Sequence, residues 1–254
     1  MSRKQLSIFV VLLAVYALTA VVSYLFFFDQ LTQGASLPQS VATENISNWV
    51  LGIANAGIIL VLYGLLGWIG NWFAMKLGFP GIFREPGTSR GWFWMPLIYG
   101  LGLGIFFATV DQIVALNGAA PHFPHPAFPF SILASLSAGI GEEIIFRGFV
   151  FGLWAYLLNL VLKHWNKTRI ALWIANILAA LAFGASHLYS VTLLFGGTDP
   201  SILPPIVIGE LFLLNGILGI AAGEHYMKNG LIAAAGVHFW TDIVWHVIWP
   251  FLFA

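Results

Sequence analysis

The sequence has no cysteine and very little charge. Of its 254 residues, 8% are charged and 59% are hydrophobic, whereas a soluble globular domain carries roughly 25% charged residues. A chain with so few charges cannot cover a water-exposed surface with them. The composition therefore predicts an integral, multi-pass membrane protein that is surrounded by the lipid bilayer.

The missing residue types also exclude several kinds of site. Without cysteine, the chain cannot form disulfides, thiolate zinc sites or cysteine nucleophiles. Its formal net charge is zero, so we expect no nucleic-acid partner. No internal repeat or linker divides the chain. We therefore predict a single transmembrane domain over residues 1–254, and the sequence does not indicate an oligomeric state.

Seven stretches are apolar and long enough to cross a bilayer as helices. They lie at about 5–28, 48–74, 92–117, 128–160, 170–190, 203–226 and 231–253. The predicted fold class is an all-α helical bundle with about seven spans, or eight if the ends near 119–132 and 191–203 fall differently. The fourth stretch is too long for a straight crossing of roughly 30 Å. We expect it to tilt, or to bend near Gly139 and Gly141.

The basic residues indicate an orientation. Apart from Arg147, every Lys and Arg lies beside alternate connections between the spans. These residues are Arg3, Lys4, Lys76, Arg84, Arg90, Lys163, Lys167, Arg169 and Lys228. The positive-inside rule then places the N-terminus and these connections in the cytosol. If the source is prokaryotic, the expected location is the cell membrane.

Four ionisable residues interrupt the apolar spans at Glu142, Glu143, Arg147 and Asp242. Each costs roughly 2.5–3.5 kcal/mol at mid-span if it is unpaired, so such residues are expected to pair, to face a wet cavity or to do chemistry. Glu143 and Arg147 are one helical turn apart and can form an ion pair. Glu142 is turned about 100° away and has no such local partner. We therefore expect Glu143 to be structural, paired with Arg147, and Glu142 to be the glutamate that takes part in the chemistry.

Two further pairs have the same one-turn spacing: Phe183 with His187, and His238 with Asp242. Each pair alone is explained as well by hydrogen bonding that holds helices together. A carboxylate and two imidazoles on three buried helices, however, suit a hydrolase that activates water. Glu142, His187 and His238 would supply a three-ligand zinc site with an open fourth position. Alternatively, a glutamate paired with a histidine would deprotonate the water directly.

The three motifs together resemble the signatures of the CPBP family of intramembrane proteases, the CAAX prenyl endopeptidase type II or Abi group. In order, the motifs are Glu142-Glu143-xxx-Arg147, Phe183-xxx-His187 and His238-xxx-Asp242. The resemblance covers roughly residues 90–250, the expected protease core. It implies hydrolysis of a peptide bond in a membrane-associated peptide or protein. In the CAAX branch, this removes the three residues after a prenylated cysteine.

The resemblance also implies roles for the residues of the motifs. Glu142 and His187 would activate the attacking water, and His238 with Asp242 would stabilise the oxyanion. Glu143 and Arg147 would position the site, with the substrate's C-terminal carboxylate as a further candidate partner, and Phe183 would support it. The resemblance leaves dependence on Zn²⁺ open.

One position departs from the commonest form of the family, because Asp242 stands where many relatives have Asn. An ionised aspartate accepts hydrogen bonds and does not donate them, so Asp242 cannot itself donate to an oxyanion. It could hold His238 protonated, or ligate a metal. The departure weakens the assignment of a CAAX substrate and leaves the substrate open.

Two other functions fit the same residues. The chain could be a non-catalytic scaffold that binds a partner, with the polar groups holding its helices together. It could also be a small ion-coupled transporter with Glu142 and Asp111 as relay groups.

Straight helices with these bounds would leave His187 and His238 well apart in depth, so either the helices tilt and shift or the edges of the fifth and sixth spans differ from those above. At 1.5 Å per residue, His187 would lie about 25 Å from the start of its span and His238 about 11 Å from the start of its own.

Overall fold

The structure is a computed structural model that describes residues 1–35 and 46–253. Over these residues it contains helices and no strands, and seven helices are long and apolar enough to cross a membrane. They are α1 (Arg3–Phe26), α2 (Asn48–Leu77), α3 (Arg90–Leu116), α4 (Phe130–Trp165), α5 (Thr168–Leu194), α6 (Pro205–Asn229) and α7 (Leu231–Leu252). A short helix at Phe28–Ala35 and a 3₁₀ turn at Pro200–Ile202 lie between them. The predicted all-α membrane bundle is confirmed.

Several of the long helices contain wider π-helical turns. These lie at Ile59–Tyr63, Arg90–Trp94, Ile144–Phe151 and Ile243–Ile248. Two of them begin directly after Glu143 and Asp242, and α5 is interrupted by a turn at His187. Short π-helical stretches are frequent at functional sites, where they redirect side chains. Each of the three motif helices thus changes its geometry at a polar motif residue.

The π-helical turn in α4 begins after the two glycines near which the sequence predicted a bend. The glycines at 139 and 141 lie within a regular α-helical segment, Phe130–Glu143, and the π-helical turn follows it. These glycines allow close packing instead. A Cβ on Gly139 would lie 3.2 Å from the backbone nitrogen of Phe239, and one on Gly141 would lie 2.5 Å from the Tyr16 ring.

The N-terminus and the connections that carry the basic residues lie together at one end of the bundle, here called the basic face. The side chain of Gln5 donates to the carbonyl oxygens of Pro80 and Phe83. The backbone nitrogen of Arg84 donates to Asn229 at the end of α6. Consequently, the connection between α2 and α3 covers the connection between α6 and α7.

Small residues bring the helices around the motifs into close contact. Gly100 and Gly104 of α3 pack on α7, where an added Cβ would lie 2.8 Å from the carbonyl oxygens of Val237 and Thr241, respectively. Gly219 of α6 packs on Ala180 of α5 in the same way. Helix association in a membrane depends on such close packing because lipid gives little hydrophobic drive between helices. This packing fixes where α5, α6 and α7 present their polar groups.

Candidate active site

The reactive groups of the three sequence motifs lie together beside one cavity. Glu142 on α4, His187 on α5, and His238 and Asp242 on α7 all line a space of about 220 Å³. Most of the remaining wall is apolar, with contributions from α3, α6 and the connection at 117–129. The cavity therefore combines a small set of polar groups with an apolar surround, as binding and catalytic pockets commonly do.

Glu142 faces the cavity and lies between the two imidazoles. Its side chain is 33% exposed. Its Oε2 lies 3.8 Å from Nε2 of His187 and 3.8 Å from Nε2 of His238. These separations are too long for direct hydrogen bonds. They suit a bridging water molecule that contacts the carboxylate and an imidazole at once.

Glu143 has a different environment, although it is the next residue. It is fully buried, and its Oε2 lies 3.1 Å from Nε of Arg147. Its Oε1 lies 2.9 Å from Nδ1 of His238. The expected ion pair with Arg147 is thus present. Glu143 also accepts a hydrogen bond from His238, which lies 95 positions later in the chain, and no local pattern predicts this contact.

These contacts fix the orientation of His238. Because Nδ1 donates to Glu143, the other ring nitrogen, Nε2, points toward Glu142 and Asp242. Nε2 lies 3.5 Å from Oδ2 of Asp242, one helical turn along α7. A carboxylate that accepts a hydrogen bond from one imidazole nitrogen determines the protonation state of the other nitrogen. His238 therefore presents a single, oriented nitrogen to the cavity.

His187 is oriented by its own helix. Its Nδ1 lies 2.8 Å from the carbonyl oxygen of Phe183, which can accept only if Nδ1 carries the proton. Nε2 then has a free lone pair directed toward Glu142. The turn that interrupts α5 at His187 places this ring at the cavity wall.

The buried ring of Phe183 packs against charged and aromatic groups of the site. Its centroid is 4.8 Å from that of His187 and 5.5 Å from that of His238. The guanidinium of Arg147 lies over it at 4.6 Å, within the range of a cation–π contact. The Phe183 ring therefore packs against both imidazoles and Arg147, while the Phe183 carbonyl oxygen accepts from His187.

Residues 124–244, just under half of the chain, match the family model described as "Rce1-like: Type II CAAX prenyl endopeptidase Rce1-like". The matched segment contains all three motifs and most of the cavity wall. This segment is similar to the Rce1-like family. Comparison with curated proteins and with solved structures gave no match. The match supports a CAAX-type intramembrane protease as the general activity.

The structure corrects the expected separation in depth of the two histidines. The rings of His187 and His238 both lie 3.8 Å from the same oxygen of Glu142. The straight-helix estimate assumed that α7 starts at the membrane surface. Instead, Leu231 is buried and its backbone nitrogen donates to the carbonyl of Gly81, beneath the connection between α2 and α3. The start of α7 is therefore covered by this connection, which the straight-helix estimate did not include.

The structure does not place Arg147 where it could bind a substrate carboxylate. Its side chain is fully buried between Glu143 and the Phe183 ring, and it is not part of the cavity wall. Among the described residues that form that wall, none is Lys or Arg. Arg147 therefore contacts the site through Glu143, which in turn is hydrogen-bonded to His238.

The predicted zinc ligands can be compared with what a zinc ion requires. A zinc site needs donor atoms about 2.0–2.2 Å from the metal in tetrahedral geometry. Over residues 1–35 and 46–253, no group of three or more His, Asp or Glu side chains is arranged to hold a metal ion. Zinc binding by Glu142, His187 and His238 thus stays a prediction. No step below goes through a metal.

The connection at 117–129 forms part of the cavity wall, which the sequence did not indicate. Buried Asp111 accepts from the backbone nitrogen of Phe123 at 3.0 Å and pairs with the ring of His122. His125 lies 3.0 Å from His246, ring nitrogen to ring nitrogen. Burial lowers the pKa of His125 to about 4, with nearby His122 lowering it further and Asp111 opposing the change. A proline-rich stretch predicts a turn, but not the surface that it covers.

Proposed function

We propose that the chain is an intramembrane endopeptidase that hydrolyses a peptide bond with water activated by Glu142 and His187. The observation that carries this proposal is the position of Glu142 Oε2, 3.8 Å from both imidazole Nε2 atoms at the cavity wall. A water molecule there would donate one hydrogen bond to the carboxylate and one to the free lone pair of His187. Both contacts make the water oxygen a better nucleophile.

The bond changes follow from these positions. The water oxygen attacks the carbonyl carbon of the scissile peptide, and Glu142 takes a proton from the water. A tetrahedral oxyanion forms. Collapse of this intermediate breaks the carbon–nitrogen bond, and the proton held by Glu142 passes to the leaving amine. The products are a new carboxylic acid and a new amine, and the acid then loses its proton to the amine, with no other reactant consumed.

His238 is the proposed donor to the oxyanion. Its Nδ1 donates to Glu143, and a proton on Nε2 is held between Glu142 and Asp242. The imidazolium can then donate from Nε2 to a negative oxygen that develops in the cavity. Asp242 supports this role by keeping His238 positive, since an aspartate cannot donate to the oxyanion itself. This explains how an aspartate can stand where many relatives carry an asparagine.

Peptide cleavage by the purified chain tests this function. Two membrane-anchored peptides would be offered: one prenylated with a CAAX terminus, and one acylated with an amidated terminus. We expect mass spectrometry to show cleavage of at least one, and Glu142→Gln to lower the rate by roughly 10²–10⁴-fold. A parallel sample with a chelator tests the metal expectation, and the proposed mechanism predicts an unchanged rate. Cleavage that survives Glu142→Gln would overturn the role of Glu142.

A further inference from the structure

The first helix packs against the motif helix α4 directly beside Glu142. A Cβ on Gly141 of α4 would lie 2.5 Å from Cζ and 2.6 Å from the hydroxyl oxygen of Tyr16, which belongs to α1. One turn before Gly141, the hydroxyl oxygen of Ser137 lies 2.7 Å from that of Thr19 on α1. Because the Thr19 hydroxyl donates to the Tyr16 carbonyl, Ser137 is the donor between the two helices. Tyr16 and Thr19 therefore tie α1 to the segment that leads into Glu142.

This segment of α4 lies between two other helices. Gly139 packs on α7, where an added Cβ would lie 3.2 Å from the backbone nitrogen of Phe239. Gly139 and Gly141 are two residues apart and therefore face directions about 200° apart around the helix. Thus α1 and α7 lie on nearly opposite sides of α4. A shift of α4 toward either helix would change the 3.8 Å separation between Glu142 Oε2 and His238 Nε2.

The second helix supports the same arrangement. The Tyr16 ring packs edge to face on Tyr63 of α2, with 5.0 Å between the ring centroids and 83° between the ring planes. Farther along α2, a Cβ on Gly70 would lie 2.6 Å from the carbonyl oxygen of Gly148, beyond the paired glutamates of α4. The first two helices therefore hold α4 on both sides of these glutamates, although they lie outside the matched segment 124–244.

We propose that Tyr16 is a positioning residue for Glu142. Its ring fills the space between α1 and α4 at Gly141, and so determines how far α4 lies from α7 and where the Glu142 carboxylate lies relative to the two imidazoles. Tyr16 does not line the cavity and acts through α4. The functional unit then includes α1, beyond the protease core expected at 90–250. The effect on catalysis rests on the proposed protease function, whereas the effect on the position of residue 142 does not.

Three variants and one control test this contact. Gly141→Ala adds a methyl group where the Tyr16 ring lies and should push α4 toward α7. Tyr16→Leu removes the ring, so that α4 can move toward α1. The double variant makes both changes, which should cancel. Gly148→Ala is the control on the same helix, because the nearest atom to its added Cβ, apart from chain neighbours and nearby helix backbone, is the carbonyl oxygen of Glu143 at 3.8 Å.

Thiol reactivity measures the position of residue 142 without any need for cleavage. The natural chain has no cysteine, so Glu142→Cys provides a single thiol in the cavity wall. In a second set of proteins, Ser190→Cys on α5 provides a reference thiol in the same wall. Each is combined with the variants above and treated with N-ethylmaleimide, and mass spectrometry gives the rates. The ratio of the two rates corrects for changes in access to the cavity as a whole.

We expect Gly141→Ala to lower this ratio about tenfold, because the space between α4 and α7 that exposes the thiol becomes narrower. Tyr16→Leu should raise the ratio, and the double variant should recover most of the loss because the two changes share one contact. Gly148→Ala should leave it unchanged. An unchanged ratio in Gly141→Ala, or a double variant as low as Gly141→Ala, would overturn the proposal. If Gly141→Ala does not fold, an unchanged ratio in Tyr16→Leu would overturn it.

Cleavage kinetics test the effect on catalysis. Misplacing a catalytic group by about 1 Å costs roughly 10²-fold in rate, so we expect Gly141→Ala to lower kcat by that order with little change in KM. Adding Tyr16→Leu should restore much of the loss, which a general loss of stability would not do. Cleavage by the natural protein without this recovery would overturn the effect of Tyr16 on catalysis. If the natural protein cleaves no peptide, the proposed function fails, and the thiol ratios still decide whether Tyr16 positions residue 142.

Discussion

Glu142 and Glu143 are adjacent in the sequence but occupy different environments. Glu142 is 33% exposed to the cavity, whereas Glu143 is fully buried and bonded to Arg147 and His238. The helix turns each residue by about 100°, so consecutive side chains face different neighbours. Glu142 can therefore contact a substrate in the cavity, whereas Glu143 contacts only its buried partners Arg147 and His238.

The buried ion pair leads to a stability prediction. Arg147→Met leaves the Glu143 carboxylate in the core without its cation, so we expect a loss of roughly 3–5 kcal/mol in unfolding free energy. The double variant Arg147→Met with Glu143→Gln removes both charges while Gln still accepts from His238. We expect it to be more stable than Arg147→Met alone. Denaturant unfolding in detergent measures the unfolding free energies of the double variant and of both single variants. A loss in the double variant equal to the sum of the two single losses would contradict the pairing.

At the scale of helices, α3 and α7 determine where His238 and Asp242 lie. A Cβ on Gly104 would lie 2.4 Å from Cβ of Val244, which follows Asp242 by two residues. Gly102, on the same helix, has no heavy atom within 4 Å of the added Cβ, apart from its own helix backbone and chain neighbours. The contact at Gly104 therefore holds α7 close, while Gly102 faces outward.

This contrast gives a matched pair of variants. Gly104→Leu should push α7 outward and destabilise the protein by roughly 1–3 kcal/mol, with a loss of peptide cleavage because the His238 ring moves. Gly102→Leu should change stability by less than about 0.5 kcal/mol. Thermal unfolding and cleavage rates of both proteins check the prediction. Equal effects would show that close packing at Gly104 does not position the site.

The 117–129 connection gives a dependence on pH. Burial lowers the pKa of His125 from its ordinary value of 6.5 to about 4. Between these two values the unfolded chain binds more protons than the folded one. The stability that neutral His125 contributes is therefore fully present above pH 6.5 and is lost as the pH falls toward 4.

His125→Gln should remove this dependence. We expect the unfolding temperature of the natural protein to fall more than that of His125→Gln between about pH 7 and about pH 5. Differential scanning fluorimetry of both proteins measures the difference. A parallel fall in the two proteins would show that protonation of His125 does not destabilise the folded connection.

At the scale of the whole molecule, local patterns were predictable and distant contacts were not. The seven spans follow from long apolar runs, and the Glu143–Arg147 pair follows from a spacing of one helical turn. The bond between Glu143 and His238 joins α4 to α7 and leaves no periodic signal. The start of α7 is covered by the connection between α2 and α3, a distant contact that straight-helix depths could not include.

The paired glutamates provide the most direct measurement of the central claim. Cleavage rate and unfolding temperature would be compared for Glu142→Gln, Glu143→Gln and Glu210→Gln, the last a buried glutamate outside the cavity wall. We predict that Glu142→Gln loses cleavage by roughly 10²-fold or more while its unfolding temperature stays unchanged. Glu143→Gln should lower the unfolding temperature, and Glu210→Gln should keep its cleavage. A Glu142→Gln protein that cleaves normally, or that loses stability as Glu143→Gln does, would contradict the assignment of Glu142 as the base that activates water.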